Sequence, residues 1–337
     1  MKKVPRRHTL VALVLVVLLV AGILVSLAIG RYPIGPRELF AALTPHSWGI
    51  GSVTDQMKAI LFNVRLPRIL LACLVGCCLS AAGASYQGVF RNPMASPDFL
   101  GASSGAATGA ALGLLLQLPS QVVMLLAFAG GLITIGIVML IGRVAPGHRL
   151  LRIILAGIMV SSLCNAATSF IKLVADPNNI LPEITYWLMG SLAKTKPTDL
   201  GLVVIPMVVG LIPLVLLRWQ VNLLTLSDDE ARTMGVNVPR VRLVVILCAT
   251  LVTAASVAVS GLIGWVGLVV PHLARRIVGN DYRKLLPVSM LGGAVFLLLV
   301  DDVSRNLLVT EIPIGILTAV IGAPFFVWMM TRRNVAA

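Results

Sequence analysis

The sequence predicts an all-α integral membrane protein with about ten transmembrane helices and both termini in the cytoplasm. Of the 337 residues, 58% are hydrophobic and 12% are charged, whereas soluble domains carry about 25% charged residues. Apolar runs of roughly 18 to 22 residues recur along the chain, close to the ~20 residues that a helix needs to cross ~30 Å of hydrocarbon. These runs do not alternate between polar and apolar residues, so helices are predicted rather than barrel strands.

Eight spans are clear from the apolar runs. They lie at about 10–30, 69–90, 99–118, 121–142, 150–174, 200–219, 285–300 and 312–330. The first follows a basic start, but its apolar core is longer than the 7 to 15 residues of a typical secretory signal and lacks an A-x-A site. We therefore expect it to be retained.

The stretch from Leu243 to Pro271 has 29 residues without a charge, long for one crossing and short for two. A single crossing would put the basic residues of 275–284 outside, against the positive-inside rule. A reversal returns them to the cytoplasm, and 18 of the 27 Lys and Arg then lie inside. The glycines predicted to form this hairpin turn are Gly261, Gly264 and Gly267.

The net charge of +14 is distributed in short clusters between spans, so it predicts topology and no nucleic-acid partner. The five cysteines lie inside apolar segments, which indicates free thiols rather than disulfides or a metal site. In the third span, glycines four residues apart predict close helix packing, and they do not form a nucleotide fingerprint. They are Gly101, Gly105, Gly109 and Gly113.

Several kinds of chemistry are missing from the sequence. The chain has no Gly-Lys dipeptide, hence no phosphate-binding loop, and no H-E-x-x-H motif. His8, His46, His148 and His272 are scattered at segment edges. We therefore expect no catalytic residue, metal or cofactor, and the protein is predicted not to be an enzyme.

An ion-driven carrier normally keeps an ionisable residue in the middle of a span, because the coupling ion must bind and leave there. The span centres of this chain have none. Asp98, Lys172, Asp301 and Asp302 lie near span ends, where interfacial positions are expected. Energy must therefore enter elsewhere.

Three segments resemble one family over nearly the whole chain. They are "RLPRILLACLVGCCLSAAGASYQGVFRNPMASPDFLGASSGA", "SGLIGWVGLVVPHLARRIVGNDYRKLLP" and "EIPIGILTAVIGAPFFVWMM". The resemblance is to the FecCD-type permeases, the membrane subunits of ABC importers for iron-siderophores, haem and cobalamin. It implies one permease domain over residues 1–337 in the inner membrane of a bacterium. It also implies a second permease copy, a cytoplasmic ATPase dimer that hydrolyses ATP, and an extracytoplasmic binding protein.

The resemblance assigns ATPase coupling to the cytoplasmic loop at about 221–242. Ser227 is predicted to cap a short helix with Asp228, Asp229 and Glu230 in its first turn, favourable for the helix dipole. Gly235 would end this helix in a left-handed conformation. The expected apolar contact comprises Met234, Val236 and Val238, and its polar rim comprises Arg232, Arg240 and Arg242, beside Pro239.

The family also places arginines on the outer side that pair with acidic residues of the binding protein. The matching residues are Arg65, Arg68 and Arg305, and the alternative is interfacial snorkelling. Among cargoes, an iron-siderophore is expected first, then haem and cobalamin, and the sequence does not select one. The alternative functions are an ion-coupled secondary transporter and a non-transport membrane anchor. Copurification of an ATPase subunit would distinguish an ABC permease from both.

Overall fold

A computed structural model describes residues 5–30, 32, 34–43, 54–144 and 149–331. The described residues fold into α-helices joined by short connections. The helices are α1 (Pro5–Ala28), α2 (Pro36–Leu43), α3 (Asp55–Ile60), α4 (Leu66–Val89), α5 (Ala102–Leu115), α6 (Ser120–Val144), α7 (Arg149–Val174), α8 (Ile180–Leu188), α9 (Pro197–Leu216), α10 (Arg218–Leu224), α11 (Asp228–Thr233), α12 (Val238–Ser260), α13 (Val266–Val278), α14 (Tyr282–Asn306) and α15 (Ile314–Thr331).

Seven of the described helices are long and apolar enough to cross a bilayer. They are α1, the continuous helix Asp55–Val89, α6, α7, α9, α12 and α14. The other three predicted spans correspond to shorter helices, α5, α13 and α15. The polytopic all-α class is therefore confirmed. The predicted cytoplasmic positions of Lys2, Lys3 and Arg332, and the histidines His46 and His148, lie outside the described residues.

Helix α4 forms the centre of the bundle. It is largely buried, whereas α1 is mostly exposed at the periphery. Small residues let its backbone approach two neighbours closely. A Cβ atom on Gly76 would lie 2.1 Å from the carbonyl oxygen of Gly293 in α14, and one on Gly83 would lie 1.8 Å from that of Gly267 in α13. Helices α4, α13 and α14 therefore pack as one block.

The predicted glycine stripe lies on α5 and faces α6. A Cβ atom on Gly105 would lie 2.0 Å from the Thr134 hydroxyl oxygen, and one on Gly109 would lie 2.1 Å from the carbonyl oxygen of Leu126. Gly113 has looser contacts of 3.2 Å, and Gly101 precedes α5 with a φ of +78°. The closest approach is therefore made by the two middle glycines.

The chain reverses direction after α12. Gly261 ends α12 with a φ of +67°, and α13 begins at Val266. Arg242, near the start of α12, and Arg275, near the end of α13, both contact partners close to the C-terminal end of α4. Between Arg242 and Arg275, the chain therefore leaves this end of the bundle and then returns to it. Gly264 lies in the break, whereas Gly267 lies in the first turn of α13 and serves packing instead.

Candidate functional site

The polar segment between α10 and α12 contains α11, and its start is fixed locally. The Ser227 hydroxyl accepts a hydrogen bond from the Glu230 backbone N–H, and the Glu230 carboxylate accepts one from the Ser227 N–H at 2.9 Å. This reciprocal arrangement is a capping box. The hydrogen bonds from Ser227 lower the pKa of Glu230 below its ordinary value. The predicted cap at Ser227 is confirmed.

The end of α11 is fixed by a left-handed glycine. Gly235 has a φ of +81°, and its N–H donates to the Arg232 carbonyl at 2.9 Å. The next N–H, of Val236, donates to the Ala231 carbonyl at 3.1 Å. This pair of bonds is a Schellman motif, which requires the conformation that glycine adopts without steric cost. Both ends of α11 are therefore determined by the sequence around it.

The exposure of the segment corrects part of the expected contact surface. Met234 is 53% exposed, but Val236 is 7% exposed and Val238 is fully buried in the core of the chain. Arg242, expected on the polar rim, is also buried. These two valines lie too deep to contact another protein. The exposed residues of the segment include Leu226, Asp229, Glu230, Arg232, Met234, Pro239 and Arg240.

Asp228 connects α11 to two membrane helices. Its carboxylate accepts hydrogen bonds from Arg242 on α12 at 3.0 and 3.3 Å. It also pairs with Arg91, just after α4, at 2.5 Å. The hydrogen bonds from Arg242, and secondarily those from Arg91, lower the pKa of Asp228. One carboxylate therefore links the segment to both α4 and α12, in addition to the buried valines.

A second set of hydrogen bonds joins the same end of the bundle. The Gln87 side-chain oxygen on α4 accepts from Arg275 on α13 at 2.9 Å. The Tyr282 backbone N–H at the start of α14 donates to the Asn222 side chain on α10 at 3.2 Å. The C-terminal end of α4 is thus linked to α10, α11, α12, α13 and α14.

At the opposite end, three predicted arginines and three carboxylates form a cluster. Arg68 donates to Asp301 at 2.8 and 3.0 Å and to Glu311 at 2.9 Å. Asp301 is fully buried within the chain, near the end of α14. Arg305 pairs with the same Asp301 at 3.3 Å. Asp302 pairs with Arg305 and accepts from the Ser26 hydroxyl at 2.7 Å.

Arg65 is the third arginine of this cluster, and it donates to the carbonyl oxygens of Leu27 and Tyr32. Arg65, Arg68 and Arg305 together line a cavity of about 190 Å³. Each is less than 10% exposed. The structure therefore brings the three predicted docking residues together but satisfies them within the chain. The docking role stays a prediction, and this arrangement does not leave the guanidinium groups free at the surface.

Sequence reasoning missed a second cavity, of about 430 Å³, between the ends of α5, α6, α8, α9 and α12. It is lined by aromatic residues, Tyr186 and Trp187, and by charged ones that include Glu183 and Lys194. Glu183 and Lys194 form an exposed ion pair at 3.1 Å. Helix α8, too short to be sought as a span, supplies both of these aromatic residues.

Comparisons with known proteins agree with this architecture. Residues 18–332 match the FecCD transport family. The chain is 41% identical to the hemin transport system permease protein HmuU of Yersinia pestis, covering 93% of this chain and 94% of that protein. It is 38% identical to the molybdate import system permease protein MolB of Haemophilus influenzae, covering 93% and 92%.

A solved structure of a metal-chelate type ABC transporter in an inward-facing conformation has the same fold. It superposes with a TM-score of 0.85 at 38% identity and covers 96% of this chain and 99% of that one. The family match extends over nearly all of the chain, including both ends of the helical bundle described above. The chain therefore belongs to the FecCD transport family and is a permease of the ABC importer type.

Proposed function

We propose that this permease imports a metal chelate, that a separate cytoplasmic ATPase drives it through residues 226–242, and that an extracytoplasmic binding protein delivers the cargo. The observation that carries the proposal is the short helix α11, capped at both ends and held on the bundle by Asp228. A rigid polar helix at this position suits a contact that must transmit force.

The exposed side of residues 226–242 supports an ATPase contact. Leu226 and Met234 are 39% and 53% exposed, and the same short segment also exposes charged side chains, including Asp229 and Arg232. An apolar centre with a charged rim is the usual composition of a protein interface. We assign the coupling contact to these residues with Ser227, Glu230, Gly235, Pro239 and Arg240, and we leave out the buried valines.

The environment of Asp301 argues against the ion-coupled alternative. A coupling site must bind and release its ion, which requires an ionisable group that can change its charge. Asp301 already has Arg68 at 2.8 Å and Arg305 at 3.3 Å. With two guanidinium partners its charge is compensated within the chain, which favours an energy source outside the membrane helices.

We further propose that the arginine cluster is where the binding protein docks. Cavity walls that include Arg65, Arg68 and Arg305 could accept an acidic side chain, since guanidinium groups pair with carboxylates in a bidentate way. Glu311 lies at the rim of the same cavity and is partly exposed. A carboxylate of the binding protein would therefore have to compete with Glu311 for Arg68.

For the assembled protein, we propose ten spans with cytoplasmic termini, in the inner membrane of a bacterium, and a homodimer of permeases. The reversal between α12 and α13 supports the count, because α12 begins and α13 ends at the end of the bundle that carries Arg91. Exposed apolar residues on α7, such as Leu163 at 71% and Phe170 at 64%, provide surface for lipid or for the second copy.

The cargo is proposed as a class. The relatives named for hemin and for molybdate are similarly close to this chain, at 41% and 38% identity. Overall similarity therefore does not choose between them. An iron-siderophore remains the first expectation, followed by haem and cobalamin.

The test of the coupling contact is Met234→Asp, which puts a charge into the apolar centre of the exposed surface. Its matched control is Met189→Asp, at an exposed methionine beyond α8 at the opposite end of the bundle. We expect the first variant to lose the copurifying ATPase and the second to retain it, with both inserted in the membrane. Equal copurification and uptake in the two variants would contradict the proposal.

A further inference from the structure

Asp228 and Asp229 are adjacent in the first turn of α11, but their carboxylates have different surroundings. The Asp229 side chain is 93% exposed, and among the described residues its ion-pair partner is Arg232 of the same helix, at 3.5 Å. The Asp228 side chain is 41% exposed and contacts Arg91 and Arg242, which belong to other elements. One face of α11 is thus available to a partner, and the other is attached to the bundle.

The two arginines that hold Asp228 are themselves held in place by other parts of the bundle. Arg91, besides pairing with Asp228, donates through Nε to the Leu224 carbonyl at 2.8 Å, so it holds the end of α10 as well. Arg242 is only 4% exposed and directs both terminal nitrogens to Asp228. Guanidinium groups that are themselves anchored hold a carboxylate in a fixed position.

Helix α4, which Asp228 reaches through Arg91, packs closely against two other membrane helices. Helix α4, which precedes Arg91, meets α14 through Gly76 and Gly293 and meets α13 through Gly267, at backbone distances that leave no room for a methyl group. Arg91 therefore lies next to a helix that contacts several others without intervening space. If the ion pairs were absent, α11 would connect to the bundle through its flanking chain and its buried apolar residues.

We propose that Asp228 is a positioning residue that transmits movement of the coupling helix to α4 and α12, while the exposed face of α11 binds the ATPase. This inference rests on the proposed function, because it requires that residues 226–242 contact an ATPase. It separates two roles within one short helix: binding on the side of Asp229 and Met234, and transmission on the side of Asp228. The low pKa of Asp228 keeps its carboxylate ionised at neutral pH.

The test compares Asp228→Asn with Asp229→Asn in the complex of permease, ATPase and binding protein reconstituted in vesicles. Both variants remove one acidic charge from the first turn of α11, so their effects on the helix dipole are matched. The measured quantities are ATPase copurification, ATP hydrolysis and cargo transported per ATP hydrolysed. For Asp228→Asn we expect a retained ATPase but a transport ratio lower by on the order of ten-fold, the size of one lost charge-assisted hydrogen bond.

For Asp229→Asn we expect the transport ratio of the unmodified protein, whatever its affinity for the ATPase. Asp228→Glu keeps the charge and should restore part of the ratio, which a purely structural loss would not predict. Combining Asp228→Asn with Arg242→Gln should add little to either change alone, because the two residues share one interaction.

Three results would overturn the inference: a normal ratio in Asp228→Asn, equal losses in Asp228→Asn and Asp229→Asn, or loss of the ATPase from Asp228→Asn. If Asp228→Asn does not fold, the ratio measured for Arg91→Gln decides, because this change removes a partner of the Asp228 carboxylate from outside α11, and a ratio equal to that of the unmodified protein would contradict transmission through this ion pair. Failure of the unmodified permease to bind an ATPase would instead refute the proposed function itself.

Discussion

Replacing Arg68 by methionine should destabilise the permease more than the loss of an exposed ion pair does, because Arg68 and its partner Asp301 are buried. The change removes the guanidinium group that bonds Asp301 at 2.8 Å and Glu311 at 2.9 Å. Asp301 has no exposed surface, and removing one partner of a buried pair costs about 3–5 kcal/mol. Because Arg305 remains 3.3 Å from Asp301, we expect a loss near the lower limit, about 3 kcal/mol.

The assay is reversible unfolding of the detergent-purified permease, with Arg283→Met as the control. Arg283 forms an ion pair with Asp281 at 3.0 Å, but its side chain is 57% exposed, and exposed pairs contribute little. The double variant Arg68→Met with Asp301→Leu should lie closer to the unmodified protein than Arg68→Met does, because no buried charge is left without its partner. If Arg68→Met unfolds like Arg283→Met, the reasoning about this cluster is refuted.

Three further predictions address packing, pH and topology. Gly105→Leu should lower the yield of folded protein, while Gly136→Leu, at a glycine where an added Cβ atom would meet nothing within 4 Å, should not; equal yields would contradict close α5–α6 packing. The pKa of Glu230 is lowered in the folded protein, so its cap contributes stability at any pH above about 4.3, the pKa of a glutamate in the unfolded chain. This stability is lost only as the pH falls further. ATPase copurification should thus be constant from pH 8 to about 5.5, and a transition near pH 6 would contradict this. In a background without the native cysteines, Lys194→Cys should react with an impermeant reagent in intact cells and Arg283→Cys should not; the reverse labelling would overturn the topology.

The features that sequence could predict depend on short-range patterns. The capping box joins Ser227 to Glu230, three residues apart, and the Schellman motif at Gly235 depends on the turn before it. Both follow from local backbone chemistry, so a single sequence is sufficient. The long apolar runs predict helices for the same reason, since length and composition decide whether a segment can cross the bilayer.

The partners of charged residues could not be predicted in this way. Arg91 and Asp228 are 137 positions apart and Arg68 and Asp301 are 233 apart, so their pairing depends on how the helices pack. Local pattern also misled at Val236, where a valine in a polar segment suggested an exposed contact. It is buried because the Schellman turn directs the chain back toward the bundle.

The central claim is that this permease takes its energy from ATP through a separate subunit, and uptake into sealed vesicles tests it most directly. Vesicles would contain the permease with its ATPase, and the binding protein loaded with cargo would be added on the side opposite to the ATPase. We predict that uptake requires ATP on the ATPase side and persists when ionophores collapse the proton and sodium gradients. Uptake that continues without ATP, or that ionophores abolish while ATP is present, would contradict the account.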